Sequence, residues 1–470
     1  MVAKLKLFLL VQIENKQLQN NMNPLLAISP IDGRYHEDTK ELAEYFSETA
    51  LFKYRVLIEI EYFIFLISTL KLTPALTTTQ IKILKSFYQK FSEKDILEIK
   101  TIEEKTKHDI KAVEYFIKNK LKENKLENYS SFVHFSLTSE DINNLAYHLM
   151  WQDSVKNIYL PIITNLKNEL KKLAKKYATM SLLSLTHGQS ATPTTIGKEI
   201  NVFAARLERQ ITQLQKHKLT GKLNGATGTF SAHTIAYPKI NWIKFSHKFI
   251  TDLGLEPNMV TTQAEPNDSL AESYQNIFRI NTILIDLCRD FWLYISRGIF
   301  VQQKKEGEVG SSTMPHKINP IQFENAEGNL GLANAYFHHL SGILPISRLQ
   351  RDLSNSTVIR NQGIPLAHSI LAIKQIIKGL NRIAPDKNKT DQELDEHWEI
   401  LSEAIQTIFR KYNDDTAYEK IKILTRGEKI NKKGLEKIIS ESNLPNKEKN
   451  KLLSLTPQTY VGLAEKLAGI

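Results

Sequence analysis

With 470 residues, 41% of them hydrophobic and 24% charged, the chain has the composition of a folded globular protein and the length of about three domains, which excludes wholesale disorder and low-complexity architectures. Nineteen glycines and fifteen prolines are too few for the many tight turns of an all-β fold, so helix is favoured, and the single cysteine, Cys288, excludes an internal disulfide and a zinc site built on several thiolates. The formal charge of +11 admits nucleic acid, an anionic membrane surface or an anionic small substrate, and does not choose among them.

Near the N-terminus an apolar run, Leu7 to Val11, is too short for a membrane span or a secretory h-region, and no small-residue cleavage site follows it. Met22 opens Met-Asn-Pro just before the first segment with a folding pattern, so residues 1–21 are expected to be an appendage. Residues 22–127 predict shorter helices, around Leu42 to Leu70 and from Asp109 to Leu121, closed by the polar run KNKLKENKLENYSS. Residues 128–380 carry three apolar stripes at helical spacing. The first is Ile163, Leu166, Leu170, Leu173 and Tyr177, with Pro161 at its start; the second is Phe203, Leu207, Ile211 and Leu214; the third is Ile277, Ile280, Leu284, Leu287, Phe291 and Tyr294. Such stripes predict long helices packed along their length in a bundle. From 381 to 470 the composition shifts to Lys, Asn and Asp, then to helices around Trp398 to Tyr412 and Lys432 to Glu441, a C-terminal helical domain. The expected fold class is all-α.

Chemistry is expected in the polar, Gly- and Pro-bearing breaks. In GEVGSSTMPHKINP, residues 307–320, Gly307 and Gly310 suit hinges, and Asn319 with Pro320 suits N-cap and N1 of the next helix. Capping does not account for Ser311, His316 and Lys317 between them. SLTHGQSATPTTIGKE places His187 between Thr186 and Gly188, off any apolar stripe, so a structural and a functional role are both open; Thr192 and Pro193 signal the following helix. HFSLTSEDINN sets Thr138 and Ser139 three and two residues before Asp141, a capping-box-like start that also presents backbone N–H groups to a carboxylate or phosphate. SPIDGRY holds Arg34 and Tyr35 in a turn, and RLQRDLSNSTVIRN carries Arg348, Arg351, Ser356 and Arg360; guanidiniums beside hydroxyls suit oxyanions. P-loop, GxGxxG, HExxH and GxSxG patterns are absent from the sequence, and the lysine clusters at 118–125 and 428–450 lack the interleaved aromatics of a single-strand-binding surface. The inventory suits proton transfer on an anionic substrate.

Gly310 to Pro320 resembles the GSSxMPxKxNP signature of the fumarase/aspartase superfamily. SPIDGRY, KHDIKAVEYF, TSEDINN, THGQSATPTTIGKE, TTQAEPND and RDLSNSTVIRN, with His316 in MPHK, are similar to its bacterial adenylosuccinate lyase branch, from about Ser29 to the C-terminus. This resemblance implies a mostly helical subunit of three domains whose long helices join a twenty-helix core of a cytoplasmic homotetramer, each active site drawn from three subunits. It implies a small-molecule nucleotide substrate, no cofactor, no metal, and no nucleic-acid or membrane partner. The implied reactions are β-elimination of fumarate from adenylosuccinate to give AMP and from succinylaminoimidazole carboxamide ribotide in purine biosynthesis. By motif position, Ser311 is the general base, His187 the general acid, and Glu324 the acidic partner of that histidine. Lys317 and Asn319 stabilise charge on the succinyl carboxylate; Thr138, Ser139 and Gln263 hold the succinyl group. Arg34, Tyr35, Arg351, Ser356 and Arg360 grip phosphate and ribose, with His108 and Asp109 nearby, and Asn325 completes the set. One departure is Lys107-His108-Asp109, where related bacterial sequences commonly read NHD: either Lys107 adds a phosphate contact or only the backbone at 107 matters. The alternatives are another lyase of the superfamily, such as argininosuccinate lyase, and a basic helical scaffold for nucleic acid.

Overall fold

A computed structural model describes residues 24–72, 74–303, 313–314, 316–414, 419, 421 and 431–470. Its main helices are α1 (Glu48–Leu70), α2 (Thr78–Gln89), α3 (Glu93–Thr106), α4 (Asp109–Glu123), α5 (Ser139–Ser154), α6 (Leu160–Lys176), α7 (Ile196–Lys216), α8 (Trp242–Asp252), α9 (Asp268–Ser296), α10 (Ile321–Ile343), α11 (Ser354–Ile359), α12 (Gly363–Leu380), α13 (Lys387–Asp395), α14 (Ser402–Lys411), α15 (Lys432–Ser440) and α16 (Asn446–Leu453). The eight strands among the described residues are two or three residues long and pair only two at a time, which makes the fold all-α. Cys288 is buried within α9. The first 21 residues and Ser311 lie outside the described residues.

The chain divides into two compact units, one of residues 1–162, 213–281 and 329–372, the other of 163–212, 282–328 and 373–470. In the first, α1 supplies Phe52, Val56, Ile60 and Phe63 to a core completed by Leu84, Ile99, Val113 and Phe116 from α2, α3 and α4. Its other face meets α8, where Phe65 lies 4.7 Å from Phe245 between ring centroids. Trp151 packs edge-on against Tyr274 at 4.6 Å and donates from Nε1 to Ser273 Oγ, so the bulkiest side chain of α5 is buried with its polar atom satisfied. In the second unit, Phe291 stacks on Phe323 and packs against Phe300, while Leu401, Ile405, Phe409, Leu435, Ile439 and Leu452 form the core of α14, α15 and α16.

The three stripes are buried as the spacing predicts at Ile163, Leu166 and Leu170, at Phe203, Leu207, Ile211 and Leu214, and at Ile277, Ile280, Leu284, Leu287 and Phe291; Leu173, Tyr177 and Tyr294 are half-buried. Three expected boundaries move. Pro161 does not start a helix: α5 passes through a π-helical turn, Val155–Tyr159, directly into α6. Proline has no N–H to donate and its ring crowds the carbonyl four residues back; the wider turn, with Leu160 N–H bonded to the Val155 carbonyl, absorbs this without ending the helix. Thr192-Pro193 precedes not α7 but strand Thr194–Thr195, which pairs antiparallel with Ser181–Leu182 before α7 begins. Pro320 rather than Asn319 caps α10, because its carbonyl accepts from the N–H groups of Phe323 at 3.1 Å and Glu324 at 3.3 Å.

Three helix-end lysines, Lys71 after α1, Lys107 after α3 and Lys125 after α4, have φ of 51°, 54° and 58°. This is the left-handed region, where glycine or asparagine is the low-strain occupant.

Candidate active site

The first unit contains an open cavity of about 190 Å3. Its lining comes from α1, the start of α4, the start of α5 and α11 with its flanking residues. Of the residues expected at a substrate site, the structure brings together His108, Asp109, Ser139, Arg351, Ser356 and Arg360. Arg55, Glu140, Asn143, Tyr147, Asn267 and Asn355 also line it and were not anticipated.

The start of α5 is built on a buried carboxylate. Thr138 is the N-cap, and the Asp141 side chain returns to accept the Thr138 N–H at 2.9 Å, the reciprocal half of a capping box. Asp141 is fully buried and accepts further N–H bonds from Asn224 at 3.0 Å and Gly225 at 3.3 Å; its charge is met by Lys222 Nζ at 2.9 Å, itself fully buried. Upstream, Tyr62 donates to the Phe135 carbonyl at 2.8 Å, and His134 Nδ1 lies 2.5 Å from Glu59 Oε1. His134 and Ser136 both hold positive φ, 56° and 60°, so side-chain bonds fix the path that leads into Thr138 and Ser139. Burial pushes the His134 ring down, but the Glu59 charge and hydrogen bond override it and hold its pKa above the usual value.

The charges around the cavity are already matched. Arg351 lies 2.9 Å from Glu140 and donates from Nη1 to Gln263 Oε1 at 3.3 Å; Gln263 in turn donates to the Ala226 carbonyl. Burial raises the Glu140 carboxyl above its ordinary range despite Arg351 and Lys222. Burial acts the same way on Asp109, yet Arg55, the Ile110 N–H and Arg360 outweigh it and hold that carboxyl low. Ser356 donates to the Leu353 carbonyl, and His108 caps α4 by accepting the Lys111 N–H at 3.2 Å. Arg34 and Tyr35 do not line the cavity; they sit in a turn, the guanidinium 5.9 Å from the Tyr35 ring centroid.

The other expected groups belong to the second unit. Strands Leu185–Thr186 and Gln189–Ser190 form a two-residue hairpin whose turn is His187-Gly188, with φ of 54° and 72°. Two central residues at positive φ make the primed turn that matches strand twist. His187 is thus displayed at an exposed tip, and its imidazole forms no hydrogen bond or ion pair among the described residues. Lys317 and Glu324 are exposed, Asn319 and Asn325 half-buried. Glu324 accepts from Trp292 Nε1 at 3.1 Å, and among the described residues no hydrogen bond joins it to His187.

Comparison with known proteins agrees with the helical fold. A family profile described as lyase matches residues 33–333, and one described as adenylosuccinate lyase C-terminal matches 347–461. Adenylosuccinate lyase of Legionella pneumophila (strain Corby) is 47% identical over 449 residues, covering 95% of this chain and 98% of the relative. That of Escherichia coli (strain K12) is 46% identical over 446 residues, covering 94% and 98%. The chain belongs to the adenylosuccinate lyase family. Solved structures extend the likeness in fold to a 3-carboxy-cis,cis-muconate lactonizing enzyme from Pseudomonas putida (TM-score 0.71, 18% identity, covering 91% of this chain and 95% of that one) and a fumarate lyase from Mesorhizobium sp. BNC1 (TM-score 0.72, 16% identity, 91% and 96%).

For an adenylosuccinate lyase family member, position 107 carries a backbone demand. Its φ of 54° ends α3 one residue before His108 and Asp109 enter the cavity, and its N–H bonds the Glu103 carbonyl at 2.7 Å. Asparagine tolerates this conformation better than lysine. Among the described residues of this lyase, none of the helices is long and apolar enough to cross a membrane, and no three His, Cys, Asp or Glu side chains are grouped to hold a metal ion.

Proposed function

We propose that the chain removes fumarate by β-elimination from adenylosuccinate, releasing AMP, and from succinylaminoimidazole carboxamide ribotide in the same way. The observation that carries this is the cavity: three guanidiniums, Arg55, Arg351 and Arg360, and the hydroxyls of Ser139 and Ser356 surround a space open to a phosphate-bearing ligand, in a chain of this family. In the reaction a base takes a proton from the succinyl carbon next to a carboxylate, the electron pair forms the C=C bond of fumarate, and the C–N bond breaks toward the amine nitrogen. A general acid protonates that nitrogen.

Ser311 is the base and His187 the acid in this reading. A serine hydroxyl is a weak base, so its loop has to exclude water and bring donors to the alkoxide. The exposure of His187 and its lack of partners among the described residues leave both ring nitrogens for a substrate or for a neighbouring subunit. Glu324 supports the charged imidazole, while Lys317 and Asn319 stabilise the negative charge that develops on the succinyl carboxylate. Thr138, Ser139 and Gln263 hold the succinyl group. Arg351, Ser356 and Arg360, with Arg34 and Tyr35, take phosphate and ribose beside His108 and Asp109, and Asn325 closes the set. The working form in this proposal is a cytoplasmic homotetramer with shared sites, each subunit organised as residues 22–127, 128–380 and 381–470.

Ultraviolet absorbance on adenylosuccinate tests it: the purified chain is expected to release AMP and fumarate, and to leave argininosuccinate intact. Ser311→Ala and His187→Ala should each lower kcat by about 10²–10⁴-fold while light scattering still reports a tetramer. Near-wild-type turnover of Ser311→Ala removes the base assignment.

A further inference from the structure

Arg55 is an anomaly of α1. It stands in the apolar run ALFKYRVLIEI and is 1% exposed, in a helix that mostly supplies core and whose other fully buried charge, Glu59, is bonded to His134. A buried guanidinium is costly unless its donors are met, and the donors that are met here point to one place. Nε donates to Asn143 Oδ1 at 3.0 Å and Nη2 to Asp109 Oδ2 at 2.7 Å, while the plane covers the Phe52 ring at 5.0 Å. Asn143 and Asp109 belong to different helices and both line the cavity, and Arg55 is the one residue of α1 that does so. A guanidinium serving only the core would not draw both of its bonds from the cavity lining. Its third nitrogen, Nη1, is buried and has no hydrogen-bond partner.

We propose that Arg55 is a positioning residue of the nucleotide cavity, clamping the Asp109 carboxylate and the Asn143 amide in fixed relation and offsetting the Asp109 charge so that an anionic nucleotide can sit beside it. The proposal rests on the cavity being a nucleotide site, as argued above. The groups facing Asp109 are Arg55 from α1, Arg360 after α11 at 3.5 Å, His108 at 3.7 Å and the Ile110 N–H at 2.8 Å; Arg360 is shared with Glu48 at 3.6 Å. Both guanidiniums address Oδ2. Oδ1 accepts only the Ile110 N–H at hydrogen-bond distance, which leaves it a lone pair for a ligand hydroxyl such as those of a ribose.

Arg55→Lys and Arg55→Met test the role on the full enzyme. Lysine keeps the charge but loses the fork, so KM for adenylosuccinate is expected to rise about tenfold, as befits one charge-assisted hydrogen bond, with kcat much less changed. In Arg55→Met the acid limb of kcat/KM should move to higher pH, because Asp109 loses its nearest cation; adding Asp109→Asn should abolish that movement. A folded Arg55→Lys with wild-type KM, or an acid-limb shift that persists in the Asp109→Asn background, overturns the proposal. If Arg55→Met does not fold, the lysine variant carries the KM readout and Arg55→Gln, neutral but polar, the acid-limb readout. If the wild-type chain releases no fumarate, the nucleotide reading fails separately, and the clamp is then read from the Asp109 carboxyl titration by 13C NMR. It should move upward in Arg55→Met or Arg55→Gln, and an unchanged titration in the folded variant rejects it.

Discussion

Around the start of α5, carboxylates and cations are bonded to one another inside the protein: Asp141 to Lys222, Glu140 to Arg351, Asp109 to Arg55. At the hairpin tip nothing described holds the His187 side chain, and the geometry resides in two left-handed backbone positions, 187 and 188. The first region fixes its groups by buried charge, the second by turn conformation. Buried charge tolerates no missing partner and holds its groups by their bonds to one another. A turn orients a side chain without bonding it, which is in keeping with the role proposed above for His187.

The comparison breaks first, and hardest, at Lys222. Lys222→Met leaves the Asp141 charge buried without a cation, so a loss of about 3–5 kcal/mol is expected in chemical denaturation; a loss under about 1 kcal/mol would deny that the α5 start depends on the pair. The hairpin should respond less. Gly188→Ala puts a side chain at φ 72° with nothing within 4 Å to clash, so the cost is the left-handed backbone alone, roughly 1–2 kcal/mol by the same measurement. If this variant lost more stability than Lys222→Met, the two regions would not differ as described.

The smallest effect is pH-dependent. The His134 pKa is raised in the folded protein, so the charged ring stabilises it fully below the unfolded value of about 6.5 and that contribution is lost as pH climbs through the folded value. Thermal melting of the wild type should show this decline, and Glu59→Gln should flatten it. A His134 NMR titration unmoved by Glu59→Gln would exclude the pair as its source.

Legibility in the sequence followed the range of the interactions. The stripes at Ile163, Phe203 and Ile277 and the capping box at Thr138 depend on neighbours within one or two turns, and they were readable. So was α4, expected from Asp109 to Leu121 and found to Glu123. The cavity was half readable: His108, Asp109, Ser139, Arg351, Ser356 and Arg360 stand in recognisable segments, whereas Arg55 and Asn143 meet across 88 positions. The readable hint was a charged residue in an apolar helix run. The hairpin was missed for a different reason. Strands of two residues have no periodicity, and only the glycine after His187 marks the turn. Pro161 misled because a π turn leaves no local signature, so a proline inside a continuous helix looks like a beginning.

The left-handed lysines at helix ends bear on how the chain can be cut. Lys71, Lys107 and Lys125 are all exposed, each at the point where a helix gives way to a turn, and each offers the residue that trypsin recognises. Lys107 immediately precedes His108 and Asp109 of the cavity, and Lys71 and Lys125 do not line it. The three sites therefore form a built-in footprint of occupancy, one beside the cavity and two away from it, in which the nicks at 71 and 125 serve as reference for the nick at 107.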